Sequence, residues 1–97
     1  MAILADLPHL LVVDDDTRLR ALLARYLGGK GHIVTTAASA AEARACMRSL
    51  AFDLLVLDIM MPGQNGLDFA QALRTEGCVM PILMLTARGD AMDRVVG

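Results

Sequence analysis

The sequence has few of the features that mark secreted, membrane-bound or nucleic-acid-binding proteins. It has no tryptophan, one tyrosine and two phenylalanines among 97 residues, so its core must be aliphatic. Nine basic against eleven acidic residues give a net charge of -2, which provides no positive surface for nucleic acid or an anionic membrane. No apolar run approaches the roughly 18 residues of a membrane helix, and the N-terminus lacks the basic segment of a signal peptide.

The cysteine content is also low. Cys46 and Cys78 lack the paired spacing of a metal site, and no Cys-x-x-Cys motif is present. We interpret both residues as reduced thiols that serve as small apolar side chains. This interpretation favours a cytoplasmic protein, because disulfides are rare in that compartment.

What the sequence does contain is a regular alternation of strand and helix patterns. Continuous apolar or β-branched runs predict four strands, at residues 9–13, 32–37, 53–57 and 81–85. Helical periodicity fills the segments between them, and residues 90–97 begin a further predicted helix. Asp16 is a candidate N-cap, and Ser39 with Glu42 forms a capping box. We therefore predict one α/β domain, a doubly wound parallel sheet covered by helices on both faces.

Three of these strands are followed by candidate site residues, most of them polar. These residues come after the first strand (Asp14, Asp15), the third (Asp58) and the fourth (Thr86, Ala87). Because the carboxyl ends of parallel strands meet at one edge of a sheet, we expect these residues to lie close together. Taken singly, each acid also suits a solvated turn, and Thr86 a capping position. Their coincidence at one edge favours a binding site.

Carboxylates at such close range raise each other's pKa unless a cation joins them. Two or three carboxylates with room for water favour Mg²⁺ over Ca²⁺, which needs more protein oxygens. His9 and His32 lie at the start of strands one and two, at the opposite edge, so no histidine joins the acids and a zinc site is excluded. Met60 and Met61 are interpreted as turn residues, because Mg²⁺ has little affinity for thioether sulfur. A backbone carbonyl of that turn remains a candidate ligand.

Three stretches carry a resemblance to a known family. VVDDDTRLRALLARYL, FDLLVLDIMMPGQNGL and PILMLTARGDAMDRVVG together resemble the receiver domain of bacterial response regulators, and in particular the OmpR subfamily. The likeness extends from about Leu10 to Gly97, with the motifs in order. It implies a flavodoxin-like or CheY-like fold with strand order 2-1-3-4-5. It also implies a phosphoacceptor and switch, with no enzymatic activity beyond its own phosphorylation and dephosphorylation.

The resemblance further implies a role for each candidate residue. Asp58 would accept a phosphoryl group from the phosphohistidine of a sensor histidine kinase. Thr86 would hydrogen-bond that group and act in the switch, and the backbone N–H of Ala87 would lie nearby. The implied Mg²⁺ ligands are Asp14 (largely through water), Asp15, Asp58 and the backbone carbonyl of Met60.

The family's site also includes a lysine that follows a fifth strand. The only lysine here is Lys30, in a Gly-Lys-Gly turn at the opposite edge of the sheet. We therefore expect residues 1–97 to be a single receiver domain that is incomplete at its C-terminus. Strand five and a winged-helix DNA-binding output domain would be missing. Impaired phosphoryl switching would follow, and the exposed edge of strand four would favour a homodimer formed by strand exchange.

Two other functions remain open. A truncated receiver-like scaffold would bind a partner through the strand-four edge without phosphoryl switching. An aspartate-nucleophile phosphohydrolase of the haloacid dehalogenase type also places a strand-end aspartate beside Mg²⁺. Such enzymes need a second acid two residues after the nucleophile for proton transfer. That position is Met60, which argues against the phosphohydrolase.

Overall fold

The computed structural model describes residues 7–85 and the backbone of residues 95–96. Its strands are β1 (His9–Val13), β2 (Ile33–Ala37), β3 (Leu54–Asp58), β4 (Ile82–Leu85) and β5 (Val95–Val96). Its helices are α1 (Thr17–Gly29), α2 (Ala40–Ser49) and α3 (Gly66–Thr75). Among these described helices, none combines the length and the apolar character needed to cross a membrane.

The strands form one sheet with the predicted topology. Its order is β2-β1-β3-β4-β5, and the first four strands of the chain pair in parallel. β1 lies between β2 and β3. Parallel strands need a crossover connection, and helices supply it: α1 joins β1 to β2, and α3 joins β3 to β4. The order 2-1-3-4 and the alternating helices confirm the doubly wound, flavodoxin-like fold. The carboxyl ends of β1 and β3 are consequently neighbours.

The C-terminal part differs from the sequence-based expectation. A helix was predicted to begin within residues 90–97, whereas Val95–Val96 is a two-residue strand antiparallel to β4. Val95 and Val96 pair with Leu85 and Met84. The prediction of a free β4 edge is therefore wrong at these two positions, which removes the structural basis for strand exchange there. β-Branched residues favour extended backbone, and pairing with an available edge outweighs a weak helical pattern.

Local capping chemistry explains where the helices begin. Asp16 precedes α1, and its carboxylate accepts hydrogen bonds from two backbone N–H groups of the first turn. Ser39 accepts from the N–H of Glu42 at the start of α2, and the Glu42 carboxylate accepts from the N–H of Ala38. Asn65 caps α3 in the same manner. Each cap satisfies N–H groups that would otherwise lack partners and contributes about 1 kcal/mol.

The hydrophobic core combines residues of the sheet with residues of helices α2 and α3. Leu11, Leu55, Leu57 and Phe69 are fully buried in it. Met61 belongs to the same cluster, although the sequence suggested only a turn residue. Burying each such leucine contributes roughly 1.5–3 kcal/mol relative to leaving it exposed. The core therefore holds β1 and β3 firmly just before the residues that carry the acids.

Candidate functional site

The neighbouring strands β1 and β3 bring three carboxylates to one edge of the sheet. Val13 pairs with Leu57, so Asp14, the residue after β1, and Asp58, the last residue of β3, lie at the same level of the sheet. One carboxylate oxygen from each of Asp14, Asp15 and Asp58 lies within 4.8 Å of the other two. The structure thus brings together the three acids that the sequence analysis singled out. We refer to them below as the acid cluster.

The members of the acid cluster differ in burial and in hydrogen bonding. Asp14 and Asp58 are only 2% and 3% exposed, whereas Asp15 is exposed to solvent. Asp14 Oδ1 accepts from the N–H of Asp16 at 2.9 Å, and Asp58 Oδ1 accepts from the N–H of Met60 at 3.1 Å. Asp14 Oδ2 is buried and has no hydrogen-bond partner among the described residues. Such an oxygen is costly to bury unless a donor or a cation satisfies it.

Burial and mutual repulsion shift the titration of the acid cluster. Burial, reinforced by the charges of Asp14 and Asp15, raises the pKa of Asp58 to about 6, although the N–H of Met60 opposes the shift. Burial also raises the pKa of Asp14, with Asp15 and Asp16 adding to the effect. Both shifts express the cost of placing like charges in a poorly solvated site. A bound cation would offset that cost.

The chemistry of the donors fits Mg²⁺. All three side chains offer hard carboxylate oxygens, and one of them, Asp14 Oδ2, is buried without a partner in the described part of the chain. Mg²⁺ prefers such oxygens and keeps several of its waters, for which the exposed side of Asp15 leaves access. The acid cluster contains neither histidine nor cysteine. Zinc would require those softer ligands.

The remaining candidates of the sequence analysis have different positions. Met60 lies beside the acid cluster through its N–H bond to Asp58, and its side chain is 50% exposed. Thr86 and Ala87 lie outside the described residues. Lys30 is the C-cap of α1, and its Nζ lies 5.3 Å from the centre of the Tyr26 ring. Lys30 is therefore at the end of α1 that points away from the acids.

Two residues that the sequence analysis did not single out contact the backbone of the acid cluster. A Cβ atom at Gly66 would lie 2.2 Å from the backbone oxygen of Asp58, so only glycine lets α3 begin so close to β3. Arg20 donates from Nη1 to the backbone oxygen of Asp14 at 2.7 Å. The glycine directly after the Asn65 N-cap is a sequence signal for the close approach of α3 to β3. The contact of Arg20 with Asp14 has no such signal, because it depends on where α1 begins relative to β1.

Comparison with known sequences identifies relatives over nearly the whole chain. Residues 10–97 match the family described as response regulator receiver domain. Protein PetR of Rhodobacter capsulatus is 50% identical over 90 residues, which cover 93% of this chain and 38% of PetR. The transcriptional regulatory protein TcrA of Mycobacterium tuberculosis is 43% identical over 89 residues, which cover 92% of this chain and 35% of TcrA. The chain thus spans little more than a third of the length of these relatives.

Solved structures give the same result for the fold. The response regulator TrrA of Thermotoga maritima, in complex with Mg²⁺ and BeF, matches with a TM-score of 0.79 and 36% identity, covering 90% of this chain and 76% of TrrA. The chemotaxis protein CheY4 of Vibrio cholerae matches with a TM-score of 0.79 and 34% identity, covering 86% of this chain and 71% of the CheY4 chain. By both its sequence and its fold, the chain belongs to the response regulator receiver domain family.

Proposed function

We propose that this protein is the phosphoacceptor of a two-component system, and that Asp58 takes a phosphoryl group from the phosphohistidine of a sensor histidine kinase. The observation that carries the proposal is the acid cluster, in which Asp58 ends a buried strand with carboxylate oxygens of Asp14 and Asp15 within 4.8 Å. A nucleophile fixed on a rigid strand beside a cation site is what phosphoryl transfer to a carboxylate requires.

The geometry of Asp58 suits nucleophilic attack. Its Oδ1 accepts from the N–H of Met60 at 3.1 Å, which orients the carboxylate and leaves Oδ2 as the attacking oxygen. In the proposed step a bond forms between Oδ2 and phosphorus while the phosphorus–nitrogen bond of the phosphohistidine breaks. The electron pair of that bond leaves with the imidazole. The barrier is lowered mainly by positioning and by neutralising the phosphoryl oxygens.

The proposed Mg²⁺ ligands are Asp14 (largely through water), Asp15, Asp58 and the backbone carbonyl of Met60. When bound, Mg²⁺ supplies charge neutralisation for the transferred group. The protein's own contribution is to hold the three carboxylates at close range and to orient Asp58 through the N–H of Met60. With a pKa raised to about 6, Asp58 is already largely ionised at neutral pH, and a bound cation would favour the ionised form further.

We extend the proposal to the partners and to the response. Thr86 would contact the phosphoryl group and the Ala87 N–H would lie beside it, so that phosphorylation moves this segment.

Exposed apolar side chains next to Asp58, those of Met60 and Leu67, offer a surface that the kinase would cover. Because a histidine kinase draws on ATP, the transfer would take place in the cytoplasm. A homodimer stays a prediction, to be tested by sedimentation.

The relatives support an assignment of the whole protein as well. TcrA, and AruR of Pseudomonas aeruginosa at 41% identity, are transcriptional regulatory proteins of which this chain covers 35% and 40%. We propose that this receiver domain likewise controls a DNA-binding output domain of the OmpR type. The net charge of -2 argues that DNA contact is made by that output domain and not by these 97 residues.

The experiment is phosphorylation by a small phosphodonor such as acetyl phosphate, followed by intact-protein mass spectrometry. The wild type should gain one phosphoryl group in the presence of Mg²⁺ and none with a chelator. Asp58→Asn should gain none, whereas Asp53→Asn, which alters an exposed aspartate just before the same strand, should be labelled like the wild type. Labelling of Asp58→Asn, or labelling without Mg²⁺ at the wild-type rate, would contradict the proposal.

A second measurement tests the response of the site. Beryllofluoride mimics a phosphoryl group on a carboxylate, so with Mg²⁺ it should shift the amide resonances of residues 58–61 and 86–88. Unchanged resonances at these positions would contradict the assignment of the site.

A further inference from the structure

Arg20 connects helix α1 to the backbone of the acid cluster. We propose that Arg20 is a positioning residue for Mg²⁺ binding: it holds the carbonyl of Asp14 and thereby fixes the peptide from which Asp15 projects. This inference rests on the proposed function, because it presumes that the acid cluster binds the ion. Arg20 itself contacts neither the ion nor the phosphoryl group in this proposal.

The Arg20 side chain is held from several sides. Arg20 lies in the first turn of α1, where its backbone N–H donates to the Asp16 carbonyl at 3.0 Å. Its Nη1 donates to the Asp14 carbonyl at 2.7 Å, and its Nη2 lies 3.4 Å from Thr17 Oγ1. The side chain is half-buried, so water competes only partly for these contacts. The planar guanidinium group therefore links two fixed points, the helix and the end of β1.

The peptide between Asp14 and Asp15 has few other constraints. The N–H of Asp14 donates to the Ala37 carbonyl on β2 at 3.1 Å, which fixes the peptide group before Asp14. The carbonyl of Asp14, which belongs to the next peptide group, is held by Arg20. The Asp15 carboxylate is exposed and accepts no hydrogen bond within the described ranges, residues 7–85. The direction of that carboxylate therefore depends on the backbone that carries it.

The direction of the Asp15 carboxylate matters for the affinity of the proposed site for Mg²⁺. The ion demands nearly ideal octahedral geometry at short range, so a ligand that is free to turn loses affinity. Residues that orient metal ligands without touching the metal typically change the affinity by 10–100-fold when they are replaced. Arg20 acts in this way through the main chain, because its bond is to the carbonyl of Asp14 and not to a carboxylate.

The experiment measures the Mg²⁺ dissociation constant by isothermal titration calorimetry and, independently, the binding of Mn²⁺ by electron paramagnetic resonance. Arg20→Met keeps an unbranched apolar stem but removes the donors, and we expect binding about tenfold weaker. Arg20→Lys restores a donor and should bind more tightly than Arg20→Met. Arg18→Met removes the same charge from an exposed arginine of the same turn, and we expect less than about a twofold change because solvent screens that charge.

Urea unfolding of the metal-free variants separates positioning from general damage. Should Arg20→Met not fold, Arg20→Leu, which also lacks a donor, takes its place with the same expected loss. Equal losses in Arg20→Met and Arg18→Met, or a wild-type affinity in Arg20→Met, would overturn the proposal. So would equal affinities of Arg20→Met and Arg20→Lys. Asp15→Asn serves as the reference: if this variant also binds normally, the proposed Mg²⁺ site itself is wrong. If only Asp15→Asn loses binding, the proposed site stands and the role of Arg20 is rejected.

Discussion

Replacing Asp58 with asparagine should stabilise the metal-free protein at neutral pH. Asp58 is a carboxylate at 3% exposure that shares its site with two other acids. Asparagine has nearly the same shape, keeps an oxygen for the N–H of Met60, and adds an amide that can donate toward the acid cluster. The substitution therefore removes buried charge without creating a cavity.

The magnitude follows from the pKa of Asp58. Burial and the charges of its neighbours raise this pKa from the ordinary 3.8 to about 6. Because the folded state holds the proton more tightly, the stability contributed by this group is fully present below pH 3.8 and is lost as the pH rises through 6. At about 1.4 kcal/mol per pKa unit, the loss reaches about 3 kcal/mol above pH 7. Asp58→Asn should recover up to that amount.

The assay is urea unfolding followed by circular dichroism, since the chain has no tryptophan for fluorescence. Asp58→Asn and the wild type are compared at pH 7.5 and at pH 4, where the expected difference falls below about 1 kcal/mol. Asp53→Asn is the matched control. Asp53 is exposed and directly precedes β3. Its carboxylate accepts from the N–H of His9 at 2.8 Å, and the oxygen of asparagine can keep that bond, so the replacement should change the free energy of unfolding by less than about 0.5 kcal/mol.

Two results would refute this reasoning. If Asp58→Asn is no more stable than the wild type at pH 7.5, the charge of Asp58 is not a burden on the folded state. If the variant is equally stabilised at pH 4 and pH 7.5, the gain comes from packing or hydrogen bonding. In either case the acid cluster would not carry the electrostatic cost that its geometry indicates.

Three further predictions concern the same site and its support. Mg²⁺ at ten times its dissociation constant should raise the free energy of unfolding of the wild type by about 1.4 kcal/mol and leave Asp58→Asn almost unchanged; equal stabilisation of both would place the ion elsewhere. Gly66→Ala should lower the melting temperature and weaken Mg²⁺ binding because its Cβ would lie 2.2 Å from the Asp58 backbone oxygen, whereas Gly28→Ala, with open space around it, should be tolerated. Leu57→Ala in the core should cost about 2–5 kcal/mol in urea unfolding, and Leu22→Ala, at 62% exposure, much less; similar costs would contradict the assigned core.

The fold was predictable because its determinants are local or periodic. The side chains of Asp16 and Ser39 cap helices by bonds that span only a few residues, and unbroken apolar runs specify strands buried on both faces. A general rule of parallel sheets then brought Asp14 and Asp58 together although they are far apart in sequence. Sequence pattern and topology were sufficient for these features.

Other features depend on three-dimensional distances that no local pattern encodes. The burial of Met61 depends on how the turn after β3 folds back over the core. The close approach of Gly66 to β3 and the reach of Arg20 to β1 depend on the exact placement of two helices. The pairing of Val95–Val96 with β4 is a non-local contact between short segments, and the local sequence there suggested a helix.

The pairing of β1 with β3, which brings the acid cluster together, affects the order of steps in folding. The two halves of the acid cluster lie on strands that are separated in sequence by α1, β2 and α2, so no early, local structure contains the cluster. Parallel pairing of such distant strands is a slow step, because a long loop must close first. The repulsion among the acids therefore opposes the docking of β3 onto β1 and leaves helix formation unaffected. The pH dependence of the refolding rate consequently reports whether these two strands meet before or after the rate-limiting barrier.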